Sequence, residues 1–397
     1  MVGTMGEVLT FAARAEQEKN GLPELGVYVH VPFCASTCDY CAFYQVRPEG
    51  DDLRRFIATM RAELDLIGGP MFATTVFWGG GTPGLLPPAM LAELAATVSG
   101  RLAAPPAEWS VEMAPATVTA ERLRALREGG INRISLGVQS LDPGLLDALG
   151  RRHTREQVLR AYGLVRDAGF DNVNLDLIFA IPGQDLAAWR RDLAGVVALG
   201  PEHISTYCLT FEEDTALFVK LSQGRVKIDP AKEAEFYEAA RDELGAAGFA
   251  QYEISNFARP GRESRHNLNT WAMQDWLGFG PSAASQRGGW RGSNPATLAE
   301  WEADIAAGRR ATRERVELGD GILAVDSVVF GLRCNAGVEL AALRARFSRG
   351  PWNAIGAVAD HLVADGLAMR NGSRLALTDR GRLLADAVGE EFIGLEK

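Results

Sequence analysis

Short apolar runs alternate with longer amphipathic stretches between about residue 26 and residue 250, and this pattern predicts strands that are each followed by a helix. Every gap between the runs is long enough for the crossover that parallel strands require. Near-continuous apolar runs such as NLDLIF predict a sheet that is buried on both faces. The predicted strands are VYVHV (27–31), TVFW (75–78), WSVEM (109–113), ISLGV (134–138), NVNLDLIF (172–179) and HISTYCL (203–209).

The gaps between these strands carry helical periodicity and recognisable helix starts. Thr119 stands in an N-cap position, and Pro230 follows Asp229 as a proline at the first helical position. Six strand–helix units are fewer than the eight of a closed barrel, so the pattern predicts an α/β fold, a partial (β/α)6 barrel. The predicted helices are Leu53–Ile67, Pro88–Leu102, Thr119–Glu128, Arg155–Ala168, Leu186–Leu199 and Pro230–Ala247.

The pattern changes after a Gly-, Ser- and Arg-rich stretch, Phe279–Asn294, which is predicted as a loop. Beyond it we expect helices near Val338–Phe347 and Trp352–Asp365, a hairpin in LAMRNGSRLALT with an Asn-Gly turn, and a last helix. This order is typical of a small winged-helix-like α+β domain. The predicted divisions are a tail over 1–22, the barrel with its extension over 23–295, and the C-terminal domain over 296–397.

Charge and hydropathy exclude several classes of protein. The chain has 41 basic and 51 acidic side chains, a net charge of −10, which suits neither nucleic acid nor an anionic membrane surface. Residues 311–397 hold 11 basic and 12 acidic side chains, so the winged-helix-like region is not predicted to bind DNA. No apolar run approaches the roughly 18 residues of a membrane span, and the N-terminus does not resemble a signal peptide. We expect a cytoplasmic protein with no direct membrane insertion.

Three of the five cysteines, Cys34, Cys38 and Cys41, form a C-x3-C-x2-C motif just after the first predicted strand. Such short spacings wrap a loop around one inorganic centre, and three ligands leave a coordination position open. An iron–sulfur cluster is therefore the favoured interpretation. A zinc site with His30 as fourth ligand and three unrelated thiols are the alternatives. Cys208 and Cys334 lie far from the motif and are predicted to be ordinary buried thiols.

Several motifs together resemble the radical S-adenosylmethionine (SAM) superfamily over nearly the whole chain. They are YVHVPFCASTCDYCAF, FWGGGTPGLL, GVQS, YEISNFARPG and HNLNTW. The resemblance implies that Cys34, Cys38 and Cys41 bind a [4Fe–4S] cluster whose fourth iron is chelated by SAM. Within the superfamily the motifs are similar to the HemN-like branch, which contains oxygen-independent coproporphyrinogen III oxidases and haem chaperones of the HemW type.

Polar residues stand near the ends of the predicted strands, where β/α barrels collect their sites. Judged from the residues alone, each of them also has a structural interpretation without a ligand. The glycines could form a tight turn, Glu112 a buried salt bridge and Arg151 a solvated helix end, and the tyrosines could be packing residues. The resemblance implies contacts to the cluster or to SAM for Tyr28, Tyr40, Gly80, Gly81, Thr82 and Glu112. It implies a second SAM position, described for the oxidases, at Gln139, Arg151 and Asp176.

Two features separate the branches. Phe43 stands where the oxidases carry a further cysteine, and His266 begins a segment that resembles the haem-binding segment of the chaperones. The resemblance therefore implies a haem chaperone, with His266 as haem ligand, that delivers haem to respiratory haem proteins. Any cluster chemistry implies an electron donor such as a flavodoxin or ferredoxin. The alternative is an oxygen-independent coproporphyrinogen III oxidase, and a third interpretation is a radical enzyme with an unrelated substrate.

Overall fold

The computed structural model describes residues 25–310 and 313–396, and the predicted tail over 1–22 lies outside them. Six parallel strands form the barrel wall in chain order, which confirms the predicted fold class. A strand after the barrel, Asp275–Phe279, adds parallel to the free edge of the first strand, Leu25–Val31. The wall consists of β1 (Leu25–Val31), β2 (Ala73–Gly80), β3 (Glu108–Met113), β4 (Arg133–Gln139), β5 (Val173–Phe179) and β6 (His203–Cys208), with β7 (Ala250–Gln251) and β8 (Asn256–Ala258) beyond β6.

The six predicted helices follow their strands, and each of their ends lies within three residues of the predicted position. Thr119 caps its helix by accepting a hydrogen bond from the backbone N–H of Arg122 at 3.3 Å. The helices are α1 (Asp52–Asp65), α2 (Pro88–Ser99), α3 (Ala120–Glu128), α4 (Pro143–Ala148), α5 (Arg155–Asp167), α6 (Leu186–Leu199), α7 (Ala216–Ser222), α8 (Pro230–Ala246) and α9 (Arg265–Trp271).

The two faces of the barrel wall differ in chemistry. Alternate residues such as Val29, Trp78 and Val111 point outward and are fully buried under the helices. The inward residues are mostly buried as well, as predicted for a sheet that is buried on both faces, but they are largely polar and not apolar. A strand carries inward and outward side chains at period two, and in this barrel the inner positions supply a polar interior. These inward polar side chains line what we call the lumen: Glu108, Ser110, Glu112, Arg133, Ser135, Asn174, Asp176, His203, Ser205 and Tyr207.

The segment predicted as a loop over Phe279–Asn294 instead contains two strands. β9 (Asp275–Phe279), β10 (Ala284–Arg287), β11 (Trp290–Ser293) and β12 (Arg313–Glu317) extend the sheet beyond β1. Gly288 and Gly289 have φ values of 56° and 81° and form the tight turn between β10 and β11. The sequence does not predict these strands because their residues are largely polar. The strands are stabilised by pairing with neighbouring strands and not by burial of apolar side chains.

Helix α10 (Leu298–Ala306) packs on the barrel, although the sequence analysis assigned residues from 296 onward to the C-terminal domain. Trp301 is fully buried against Phe56, and its indole donates to Glu63 at 3.0 Å. A second core begins with α11 and includes Val328, Ile355 and Leu375. Its elements are α11 (Asp320–Gly331), β13 (Val338–Glu339), α12 (Leu340–Arg346), α13 (Trp352–Ala364), β14 (Ala368–Asn371), β15 (Arg374–Leu377), α14 (Asp379–Leu383) and α15 (Ala385–Glu390).

The predicted C-terminal hairpin is present, with its turn one residue later than expected. Asn371 pairs with Arg374, so Gly372 and Ser373 form the turn, and Gly372 takes a φ of 61°. The last predicted helix is divided into α14 and α15. Across the described residues, no helix combines the length and the apolar character needed to cross a membrane.

Candidate cluster and cofactor site

The three motif cysteines lie together on the loop that follows β1, and all three are partly exposed. The loop is fixed by backbone hydrogen bonds from Cys34 N–H to Val46 at 3.0 Å and from Cys41 N–H to Cys38 at 3.2 Å. Burial, and to a smaller extent the neighbouring thiols, raises the pKa of Cys34. The thiols are therefore close enough to influence one another, and thiolates are the ligands of a [4Fe–4S] cluster.

The geometry disfavours the zinc alternative. His30 uses both ring nitrogens within the protein: Nε2 donates to the carbonyl of Tyr44 at 2.9 Å, and Nδ1 accepts from the Tyr28 hydroxyl at 3.1 Å. Among the described residues, no three His, Cys, Asp or Glu side chains are placed to hold one metal ion. A [4Fe–4S] cluster binds each thiolate at a separate iron atom, so it suits cysteines that are more widely spaced.

The glycine-rich segment after β2 packs its backbone directly against the cysteine loop. Gly81 N–H donates to Val31 and Thr82 N–H donates to Phe33, both at 2.8 Å. A Cβ atom at position 81 would lie 2.7 Å from the carbonyl carbon of Pro32, which explains the glycine there. The Thr82 hydroxyl lies 3.5 Å from the Cys34 sulfur. The segment therefore lies beside the cluster loop, where the family resemblance expected it.

Gly80 and Glu112 form the adjoining wall of the lumen. Gly80 has a φ of 98°, and a Cβ atom there would collide with the His30 ring. Burial and then the nearby charge of Asp176 raise the pKa of Glu112 to about 8. Burial, followed by the Glu112 charge, also raises the pKa of Tyr28. Arg133 and Arg151 lower this pKa only in part, so a cationic ligand beside Glu112 would lower it further and favour the ionised carboxylate.

Asp176 and Gln139 lie farther around the barrel mouth. Asp176 accepts hydrogen bonds from Ser135 at 2.8 Å and Asn174 at 2.7 Å, while burial raises its pKa. Gln139 takes a φ of 64° at a register shift in β4, a backbone conformation that residues other than glycine rarely adopt. The bulge re-aims the end of β4, so that the Gln139 amide lies beside Gly137.

Arg151 connects this wall to the cysteine loop. Its guanidinium donates to the Tyr40 hydroxyl, with Nη2 at 2.9 Å and Nε at 3.3 Å. Burial is the main cause that raises the pKa of Tyr40 to about 12, against the opposing effect of Arg151. The positive charge also lowers the pKa of Cys38 against the larger opposing effect of burial. Arg151 is thus a buried cation beside the cluster loop and not a solvated helix-end residue.

His266 lies in α9, at the opposite end of the barrel from the cysteines. Its Nδ1 is 2.9 Å from the Thr75 hydroxyl, its ring stacks on Phe77 with centroids 5.3 Å apart, and it is 9% exposed. Burial and then Arg133 lower its pKa to about 4. Trp271, at the end of the same helix, stacks on Phe330 of α11. Helix α9 therefore closes the barrel floor and joins it to the C-terminal unit.

Sequence reasoning missed three polar residues in the lumen. Tyr207 on β6 is 41% exposed at the barrel mouth, while Ser110 and Arg133 are buried deeper on β3 and β4. Their signal was the period-two alternation within WSVEM, RISLGV and HISTYC, where every second residue is polar. Reading these runs as apolar on both faces concealed the inner positions.

Comparisons with known proteins agree with this arrangement. A Radical SAM superfamily model matches residues 28–194, and a HemN C-terminal domain model matches residues 323–384. "Heme chaperone HemW" of Mycobacterium tuberculosis is 39% identical over 93% of this chain and 95% of its own length. The chain belongs to the HemW family. The HemW protein of Bacillus subtilis is 34% identical, over 92% of this chain and 98% of its own length.

Membership of this radical SAM family implies a [4Fe–4S] cluster and SAM, and the three converging thiols beside a glycine cradle fit that pair. Among solved structures, coproporphyrinogen III oxidase (HemN) from Escherichia coli matches with a TM-score of 0.81 at 21% identity. The match covers 94% of this chain and 91% of that one. This likeness shows that the chain has the HemN fold.

Proposed function

We propose that this HemW-family protein is a haem chaperone that binds a [4Fe–4S] cluster and SAM and delivers haem to respiratory haem proteins. The observation that carries the proposal is the near full-length similarity to proteins named haem chaperones, at 34–39% identity. Exposed Phe43, two residues after Cys41, supports the chaperone branch because the oxidase pattern requires a cysteine there.

The cluster is proposed to bind Cys34, Cys38 and Cys41, with SAM beside Gly80, Gly81, Thr82 and Glu112. When both are bound, they supply one-electron chemistry, for which the electron donor is proposed to be a flavodoxin or ferredoxin. The chain's own contribution is orientation. The glycine backbone allows close approach, and Glu112 becomes charged when a cationic ligand lies next to it. Tyr28 and Tyr40 are proposed to line the same pocket, and Gln139, Arg151 and Asp176 are proposed to form a second SAM position.

Haem is proposed to bind through His266, which has consequences for access. All five histidines lie in the described part of the chain, and His30, His153, His203 and His266 are each at most 9% exposed. His361 on α13 is the exception, with a side chain that is 66% exposed. Coordination by His266 therefore requires α9 to move away from Thr75 and Phe77, whereas His361 is accessible without any movement.

A haem titration of anaerobically reconstituted protein tests the proposal. The Soret band of His266→Ala is expected to show loss of the ligand, and the matched variant His361→Ala is expected to bind haem as the unmodified chain does. Both variants need normal cluster iron and thermal stability, so that a folding defect is recognised. Haem binding that survives in His266→Ala and disappears in His361→Ala would place the ligand on the C-terminal unit and contradict this assignment.

The oxidase is the second candidate because the fold matches HemN over 94% of the chain. The same preparation, supplied with coproporphyrinogen III, SAM and a reductant, is expected to form no protoporphyrinogen. Formation of product without haem binding would favour the oxidase and overturn the chaperone proposal.

A further inference from the structure

Two neighbouring polar side chains in the lumen each carry a buried atom that has no hydrogen-bond partner among the described residues. Ser110 on β3 and Arg133 on β4 are register partners in the parallel sheet, and both side chains face inward. They are 0% and 2% exposed, and neither Ser110 Oγ nor Arg133 Nε has a hydrogen-bond partner among the described residues. Buried polar atoms are nearly always hydrogen-bonded, so a pair of unpartnered donors on adjacent strands indicates an occupant.

Nearby carboxyl groups do not supply that partner. Glu108 accepts hydrogen bonds from the backbone N–H groups of Arg265 and His266, each at 3.1 Å, and so caps helix α9. Asp176 is engaged by Ser135 and Asn174. Glu112 has its pKa raised to about 8 by burial and then Asp176, so it is mostly neutral at pH 7. Against the larger effect of burial, Arg133 lowers the pKa of both Glu112 and Asp176, so these carboxyl groups balance part of its charge, but neither accepts a hydrogen bond from Arg133 Nε.

The rest of the surroundings are hydrogen-bonding groups and are not anions. His203 contacts Asn174 at 2.6 Å and the Tyr252 hydroxyl at 2.8 Å. Burial and then the charge of Arg133 keep the pKa of both His203 and His266 below the ordinary value, so both rings are neutral near pH 7. A buried guanidinium whose Nε has no acceptor favours a ligand with one negative charge.

The position lies directly below the open part of the barrel. Tyr28, Phe77, Glu112 and Asp176 on the inner wall are partly exposed, and Tyr207 at the rim is 41% exposed. The lumen is thus open to solvent down to the level of Phe77, which is the register neighbour of Ser110. Ser110 and Arg133 are 0% and 2% exposed, so a small group that enters past the cysteine loop reaches them when side chains at the level of Phe77 move apart.

We propose that Ser110 and Arg133 form a carboxylate-binding subsite within the lumen, deeper than Glu112. A carboxylate matches the flat, two-pronged donor geometry of a guanidinium, and the serine hydroxyl donates a third hydrogen bond. The carboxylate belongs either to a free small acid, such as propionate, or to a propionate side chain of a tetrapyrrole cargo. The second source rests on the proposed function, whereas the first does not.

Bromide and propionate are the probes for the site. Crystals of the full-length protein grown in sodium bromide are expected to show one anomalous peak between Ser110 Oγ and the Arg133 guanidinium. The peak is expected to disappear when propionate replaces bromide and also in the variant Arg133→Gln. It is expected to weaken in Ser110→Ala. No peak in the unmodified protein, or a peak that propionate does not displace, overturns the carboxylate assignment; the second result means a halide site only.

Thermal unfolding provides a measurement that does not depend on crystals. A bulky sulfonate buffer keeps the ionic strength constant. Under these conditions propionate is expected to raise the Tm of the unmodified chain and of the control variant Arg127→Gln. Arg127 is a suitable control because its side chain lies over Phe170, outside the barrel. Arg133→Gln is expected to show no Tm response to propionate, because the cation that would bind the carboxylate is gone. Equal responses in both arginine variants would overturn the proposal.

The two sources are separated with haem and haem dimethyl ester, in which both propionates are esterified. If a haem propionate occupies the site, the ester is expected to bind at least tenfold more weakly to the unmodified chain and equally well to Arg133→Gln. Equal affinities for haem and ester in the unmodified chain, together with a propionate response, assign the site to a free acid. Loss of haem binding altogether, with the propionate response intact, refutes the chaperone proposal and leaves the subsite standing.

Discussion

Replacement of Glu112 by Gln tests the electrostatics of the barrel mouth. Burial and the Asp176 charge give Glu112 a folded-state pKa of about 8, compared with 4.5 for an ordinary glutamate. Between these two pH values the unfolded chain has released the proton while the folded chain still holds it. Stability therefore falls as the pH rises from about 5 to 8, and the fall is complete above the folded-state pKa.

The size of the effect follows from that pKa difference. At about 1.4 kcal/mol for each pH unit, it corresponds to an upper bound of about 5 kcal/mol. Water that enters the lumen screens the charge, so we expect a loss of about 2–3 kcal/mol in the protein without bound cofactors. The glutamine side chain has almost the same shape and does not ionise, so Glu112→Gln is expected to remove this pH dependence.

Urea unfolding of the cofactor-free chain between pH 5.5 and 9 measures the effect directly. The free energy of unfolding of the unmodified chain and of the control Glu128→Gln, an exposed position on α3, is expected to fall with pH more steeply than that of Glu112→Gln. Parallel curves for all three proteins would refute the account of Glu112. If SAM lies beside Glu112 as proposed, its binding is expected to release a proton near pH 7, because its positive charge would ionise Glu112.

Three further substitutions test other parts of the structure. Gly81→Ala is expected to destabilise the fold by about 1–3 kcal/mol, because its Cβ would contact Pro32, and to lower the cluster iron per chain. Gly163→Ala is the control, because its new Cβ meets nothing within 4 Å. A normal iron content in Gly81→Ala would contradict the packing argument. Tyr40→Phe removes the acceptor of Arg151 and is expected to cost about 1 kcal/mol by urea unfolding; an unchanged midpoint would mean that water replaces the hydroxyl. Leu375→Ala, fully buried in the second core, is expected to cost about 2–5 kcal/mol, and limited proteolysis should then cut the C-terminal unit before the barrel.

The barrel strands were predictable because their outward residues are apolar and their helices have clear starts. Trp78, Val111 and Leu177 illustrate the signal, since each is fully buried against helices. The hairpin of β10 and β11 was not predictable, because Ser285, Gln286 and Arg291 are polar and the strands are stabilised by pairing with neighbours. Local sequence does not record which distant strand supplies those partners.

The candidate site was predictable where its residues are close in sequence. The cysteine loop and the glycine segment each lie within a few residues, so their spacing is visible in the chain. His266 contacts Thr75, which lies 191 positions away in the sequence. Arg151 contacts Tyr40, which lies 111 positions away. Such contacts depend on closure of the barrel and cannot be read from spacing.

The most direct test of the central claim is a paired assay on one anaerobic preparation with its cluster confirmed by iron and sulfide content. One portion receives haem, and the other receives coproporphyrinogen III with SAM and a reductant. The account predicts haem binding at a fixed stoichiometry, seen in the Soret band, and no protoporphyrinogen. Protoporphyrinogen formation without haem binding would contradict it.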